Sequence, residues 1–168
     1  DDEWQYPLDR TLGRNANRLN ASFVAANQSI ASQIDKNPVL QGMGTTAVAV
    51  LGRDSPVALA HIGDSRAYLC RDANLTRLTR DHSWVEEQVR AGKLSVEDAR
   101  EHPGRNIVTR ALTGGTNLDV EVSEVKLNTG DRVLLCSDGL TSVCSDSEIK
   151  DALNSGLVLD AICDRLVF

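Results

Sequence analysis

Apolar residues at Leu19, Phe23, Ala26, Ile30 and Ile34 recur in steps of three and four, the period that gathers side chains on one face of a helix. The pattern predicts an amphipathic helix ending near Asp35-Lys-Asn-Pro38. From Thr45 the texture changes. Thr-Thr-Ala-Val-Ala-Val-Leu, a break at Gly52-Arg-Asp-Ser-Pro56, and Val57-Ala-Leu-Ala-His-Ile62 predict two short strands joined by a turn. Arg66 to Arg71 predicts a third strand after the turn Gly63-Asp64-Ser65, and Leu75 to Leu78 a fourth. Successive hairpins of this kind suggest an antiparallel sheet.

The next segment has a different character. Ser83 followed by Glu86, and Ser95 followed by Asp98, are capping-box patterns that open two short helices, the first with a partial apolar face of Trp84, Val85, Val89 and Leu94. His102-Pro103 closes the second, and Asn106 to Leu112 resumes an ordered stretch before Gly114-Gly115. This insert, about residues 83–112, lies between strands and is expected to cover one end of the sheet. Alternation returns at Val120, Val122, Val125 and Leu127. The turn Asn128-Thr-Gly-Asp131 then leads into a strand from Arg132 to Ser137, which reads as another hairpin. Helices follow from Asp146 to about Asn154 and from Leu159 to Val167. No repeat or Pro/Gly linker divides the chain, so residues 1–168 read as a single domain.

Composition narrows the function. With 168 residues, 41% hydrophobic and 25% charged, the chain is ordinary for a soluble protein, and a net charge of −6 without a basic block disfavours a nucleic-acid partner. No apolar run approaches the roughly 20 residues needed to span a bilayer, and Asp1-Asp2-Glu3 lacks the features of a signal peptide, so a cytoplasmic location without membrane insertion is expected. The four cysteines, Cys70, Cys136, Cys144 and Cys163, form no Cys-x-x-Cys pair and read as buried reduced thiols.

The candidate chemistry lies in two acidic turns. Asp138 ends the apolar run Arg132-Val-Leu-Leu-Cys-Ser137 on an Asp-Gly pair, and Asp64 sits in Gly63-Asp64-Ser65 after another apolar run. A carboxylate at a strand end can hold a metal ion, and either turn can equally be serving its own backbone.

Five stretches, in order, carry a resemblance. They are Met43-Gly-Thr-Thr46, Ala60-His-Ile-Gly-Asp-Ser-Arg-Ala-Tyr68, Leu78-Thr-Arg-Asp-His-Ser83, the Glu97 to Leu112 stretch with Asn106-Ile-Val-Thr-Arg-Ala-Leu112, and Gly130-Asp-Arg-Val-Leu-Leu-Cys-Ser-Asp-Gly-Leu-Thr141. Together they resemble the metal-dependent type 2C serine/threonine protein phosphatases, in particular the compact bacterial members, over about Gly42 to Lys150. The resemblance implies an α/β sandwich (α+β): two antiparallel β-sheets flanked by helices, with residues 83–112 as a flap beside the active site. It implies Mn2+ or Mg2+ as cofactor, and a water bridging two metals that attacks the phosphorus of phosphoserine or phosphothreonine. Asp138 would then be a metal ligand, and Asp64 would help to hold an additional, weaker metal. Phosphoprotein substrates, a serine/threonine kinase among them, are the implied partners.

Other matched residues have competing readings. His102, Arg105 and Arg110 are the candidates for substrate binding, against a helix-end role for His102 and surface or salt-bridge roles for the arginines. Asp81-His82 reads as holding the start of the insert, His61 as a satisfied core histidine, and Met43-Gly-Thr-Thr46 as close strand packing.

The family also has an early Asp-Gly-x-Gly-Gly motif, an arginine for substrate phosphate, and a late Gly-Gly-x-Asp-Asn motif. None of these occurs here. With the inner motifs intact, we expect a chain incomplete at both termini and lacking part of the metal site, with exposed sheet edges and apolar faces. A catalytically silent phosphatase-like binding or regulatory module is the alternative.

Overall fold

The computed structural model describes residues 8–167. A long helix, α1 (Arg14–Lys36), leads through a short 3-10 turn at Pro38–Leu40 into four strands: β1 (Ala47–Leu51), β2 (Val57–Ile62), β3 (Arg66–Arg71) and β4 (Asn74–Arg77). The helices α2 (Trp84–Arg90) and α3 (Val96–Glu101) form the insert. After it come β5 (Glu121–Val125), β6 (Arg132–Cys136), the single helical turn α4 (Asp138–Thr141), α5 (Asp146–Leu153) and α6 (Leu159–Val167). Two helix starts behave as read, with Ser83 and Ser95 accepting the amides of Glu86 and Asp98, and the structure adds a third cap, where Ser145 with Glu148 completes a capping box.

The strands form two antiparallel sheets of three, ordered β1-β2-β5 and β4-β3-β6. This corrects the reading of successive hairpins. Only β1-β2 and β3-β4 are hairpins; β2-β3 and β5-β6 are crossings from one sheet to the other. A short polar turn is compatible with either outcome, because what decides is the face that each strand buries.

Alternation on the strands shows how the layers stack. Ala58, Ala60 and Ile62 pack on Ala16, Leu19 and Phe23 of α1, whereas Tyr68 and Cys70 pack on Ile149, Leu153, Ile162 and Leu166 of α5 and α6. The opposite faces, with Val57 and Leu59 on β2 and Ala67 and Leu69 on β3, are buried as well. They form the interior between the sheets, with helices on the two outer surfaces, the α/β sandwich expected. On β6 this inward face is incomplete: Val133 and Leu135, paired with Leu69 and Ala67, remain 36% and 42% exposed. No described strand pairs with the outer edge of β6.

Buried polar groups fix the connections. Asn27 of α1 accepts the amides of Thr113 and Gly114 and donates to the Gly115 carbonyl, anchoring the chain where it leaves the insert. Asn17 donates to the carbonyls of Asp9, Leu12 and Gly13, which helps α1 begin at Arg14, ahead of its apolar stripe. The four cysteines are free thiols, but only Cys70 is buried; Cys136 and Cys144 are half-buried and Cys163 is exposed on α6, which corrects the expectation of burial for all four.

At the β5-β6 crossing Arg71 makes a bidentate ion pair with Asp131, at 2.9 and 2.6 Å. The Arg71 hydrogen bonds, with the amide of Asn128, hold the Asp131 carboxyl down from 3.8 to about 2. A group whose folded value is depressed stabilises the fold above its unfolded value and loses that contribution as pH falls through the folded one. Asp131→Asn is therefore expected to lower the urea midpoint at pH 7, with the difference from wild type shrinking as pH falls through about 4 and lost only below about 2.

Candidate metal centre

The register of one strand pair builds this site. β3 pairs with β6 so that Arg66 faces Cys136. Asp64 lies two residues before Arg66 and Asp138 two residues after Cys136, so both acidic turns emerge at the same end of the sheet. Their charges meet there. Asp64 is half-buried, and its carboxyl is pushed above the ordinary range first by burial, then by the nearby carboxylates of Asp138 and Asp81. Asp138 is exposed at the first position of α4, one helical turn where the sequence reads as a plain turn.

The Asp64 turn is tightly specified. Gly63 has φ +102°, a left-handed conformation, and a Cβ placed there would overlap the side chain of Thr46. Thr46 in turn shares a 2.9 Å hydrogen bond with Ser65. The Met43-Gly-Thr-Thr46 stretch thus does the close packing read from its small residues. His82 closes the other side of the turn: its amide donates to the Gly63 carbonyl at 2.9 Å, and its Nδ1 accepts the Gly63 amide at 3.1 Å.

Asp81 is committed elsewhere. It takes a bidentate pair from Arg66, with contacts of 2.6 to 3.1 Å, and Arg66 also donates to the Tyr68 hydroxyl, which donates to Asp146. Although burial opposes its charge, this network raises the Arg66 guanidinium well above its ordinary value. Arg66 is thereby a fixed cation beside the acidic end of the sheet.

The remaining candidates are placed as follows. His102 packs at a tilt against Trp84, with ring centroids 4.8 Å apart, and its Nδ1 accepts the Gly104 amide just beyond α3. Arg110 pairs with Asp119 at 2.7 Å and lies 3.9 Å from Glu121. Arg105 is exposed, and no ion pair ties its guanidinium among the described residues. His61 is buried on β2; burial lowers its pKa, and its Nε2 lies 2.9 Å from the Arg80 carbonyl. Glu121, which sequence reasoning did not single out, carries no motif signal; only the fold brings it over His61 and His82.

Two carboxylates brought to one end of a sheet suit a hard divalent cation, which prefers carboxylate oxygen and leaves positions open to water. The family model described as "Protein phosphatase 2C" matches residues 6–90, half of the chain. The chain belongs to the protein phosphatase 2C family.

Bacterial proteins are among the relatives of this phosphatase 2C chain. It is 43% identical over 136 residues to the serine/threonine protein phosphatase PstP of Mycobacterium tuberculosis, covering 81% of this chain and 26% of that protein. It is 43% identical over 149 residues to the serine/threonine phosphatase stp of Listeria welshimeri, covering 89% and 59%. Among solved structures, the catalytic domain of PstP in complex with two manganese ions superposes with a TM-score of 0.84 at 38% identity, covering 95% of this chain and 66% of that one. The phosphatase 2C chain thus spans about a quarter of one curated relative and three-fifths of the other.

Proposed function

We propose that these residues form the inner part of a magnesium- or manganese-dependent serine/threonine protein phosphatase, with Asp138 and Asp64 as metal ligands. The observation that carries this reading is the convergence of the two carboxylates, far apart in sequence, at one end of the β3-β6 pair. The ion, when bound, supplies a water of lowered pKa able to attack the phosphorus of phosphoserine or phosphothreonine. The protein's part is positional. Gly63, Thr46 and His82 fix the Asp64 backbone, β6 delivers Asp138, and the Asp81–Arg66 pair stiffens the strand between them.

The insert at 83–112 is the flap beside this end in our reading, and Arg105 is its best-placed group for substrate phosphate. The commitments of His102 to Gly104 and of Arg110 to Asp119 leave those two a supporting part in substrate binding. Substrates are phosphoproteins of the cytoplasm, a serine/threonine kinase among them. No helix among the described residues is long and apolar enough to cross a membrane.

One observation favours a second reading, a catalytically silent phosphatase-like module that binds a phosphoprotein. The Asp-Gly-x-Gly-Gly and Gly-Gly-x-Asp-Asn motifs are absent from these 168 residues. Release of phosphate from p-nitrophenyl phosphate, with and without manganese, separates the two. The 168 residues alone are expected to turn over near the blank. The full-length protein is expected to show manganese-dependent release; its absence there would favour the binding module.

A further inference from the structure

His61, His82 and Glu121 form a cluster that the proposed chemistry does not use. The two imidazoles stack with centroids 4.9 Å apart and 19° between their planes. Glu121 reaches over them from β5, 3.1 Å from His82 Nε2 and 3.8 Å from His61 Nε2. Ligand atoms of all three lie within 4.8 Å of one another, a spacing compatible with a cation. The hydrogen bonding argues for something else. His61 Nε2 faces the Arg80 carbonyl, which can only accept, so this nitrogen carries a proton. His82 Nδ1 accepts the Gly63 amide, so the proton of a neutral His82 is on Nε2, facing Glu121. Both nitrogens that a metal would need are protonated, and near-parallel rings do not aim their in-plane lone pairs at one point.

We propose that His82 is a positioning residue that sets the Asp64 turn, with Glu121 holding its ring in the tautomer that accepts the Gly63 amide. The inference rests on the reading of Asp64 as a metal ligand. Gly63 is gripped twice, by the His82 backbone through its carbonyl and by the His82 ring through its amide, so the peptides on both sides of Gly63 are held by one residue. Glu121 is a strong acceptor for the Nε2 proton. Burial opposes its ionisation, but His82, His61 and Arg110 outweigh burial and lower its pKa. His82 also ties the turn to the insert, because its carbonyl accepts the Thr109 amide at 2.8 Å and the adjacent Ser83 bridges to Val108. A displacement of the insert is thus felt at Asp64 through one residue.

Two substitutions divide the ring's functions. His82→Asn keeps an acceptor near the Nδ1 position and loses the reach to Glu121, whereas His82→Gln keeps that reach and offers nothing to Gly63. Three readouts are needed: hydrogen exchange at the Gly63 amide, manganese binding followed by electron paramagnetic resonance, and the melting temperature. His82→Gln is expected to speed Gly63 exchange and weaken manganese binding by about tenfold or more, while His82→Asn stays within about threefold of wild type for both, although both variants melt lower. Glu121→Gln, which can still accept from Nε2, should behave as His82→Asn does. Equal weakening of manganese binding by the Asn and Gln variants, in step with melting temperature alone, would overturn the proposal. So would stoichiometric zinc binding that is lost in His61→Ala. The full-length protein is used throughout; if its wild type binds no manganese, the reading of Asp64 fails, and Gly63 exchange still decides whether the clamp exists.

Discussion

Asp138→Asn is expected to remove manganese-dependent hydrolysis of p-nitrophenyl phosphate from the full-length protein, with a fall of at least about 100-fold in kcat. Outer partners of metal ligands alone are worth about 10- to 100-fold, and a direct carboxylate ligand should exceed them. Asparagine preserves the size and one oxygen of the side chain while removing its charge, so the loss would report on the metal and not on packing. Asp138 is exposed, and its charge is one of those that raise the pKa of Asp64. The variant should therefore melt no lower than wild type without metal. Loss of activity accompanied by a large loss of stability, or activity within about fivefold of wild type, would argue against a ligand role.

Gly63→Ala should have the largest effect on the fold. The position has φ +102°, where an L side chain is strained, and the added methyl would collide with the side chain of Thr46, whose hydroxyl is tied to Ser65. Backbone strain of about 1–2 kcal/mol and overpacking of about 1–3 kcal/mol together give roughly 3 kcal/mol, seen as a lowered urea midpoint with an unchanged slope. A shift below about 0.5 kcal/mol would mean that the crossing between the sheets is looser than its contacts imply. Because the turn carries Asp64, manganese binding should weaken with it.

Much of this architecture could be read from periodicity and punctuation. The apolar stripe from Leu19 to Ile34, the alternation from Thr45 to Ile62 and the capping serines Ser83 and Ser95 each specify local structure with local information, and each element formed where its pattern stood. Strand partnership was not local. The Gly63-Asp64-Ser65 and Asn128-to-Asp131 turns look like hairpin turns, yet each carries the chain between sheets, because β2 and β5 bury one face on α1 while β3 and β6 bury one on α5 and α6. The same limit applies to the site. Asp138 and Asp64 announce themselves as acidic turns after apolar runs, but Asn27 in the middle of a helix and Glu121 at the start of a strand have no signature. Their roles come from groups far along the chain, Thr113 to Gly115 for one and His82 for the other. For His82 the local signal, a polar pair before a capping serine, pointed to the start of the insert and not to the glycine it grips.

The pairing of β3 with β6 also orders events in time. Arg66 and Cys136 are distant in the sequence, and closing so long a loop is slow compared with forming the β3-β4 hairpin or a helix. Until that ladder forms, Asp64 and Asp138 belong to separate parts of a fluctuating chain. On the proposed reading of these two residues as ligands, a cation then has no assembled site. Manganese should thus leave the folding rate unchanged and slow unfolding instead, acting as a latch on a finished structure rather than a seed for it.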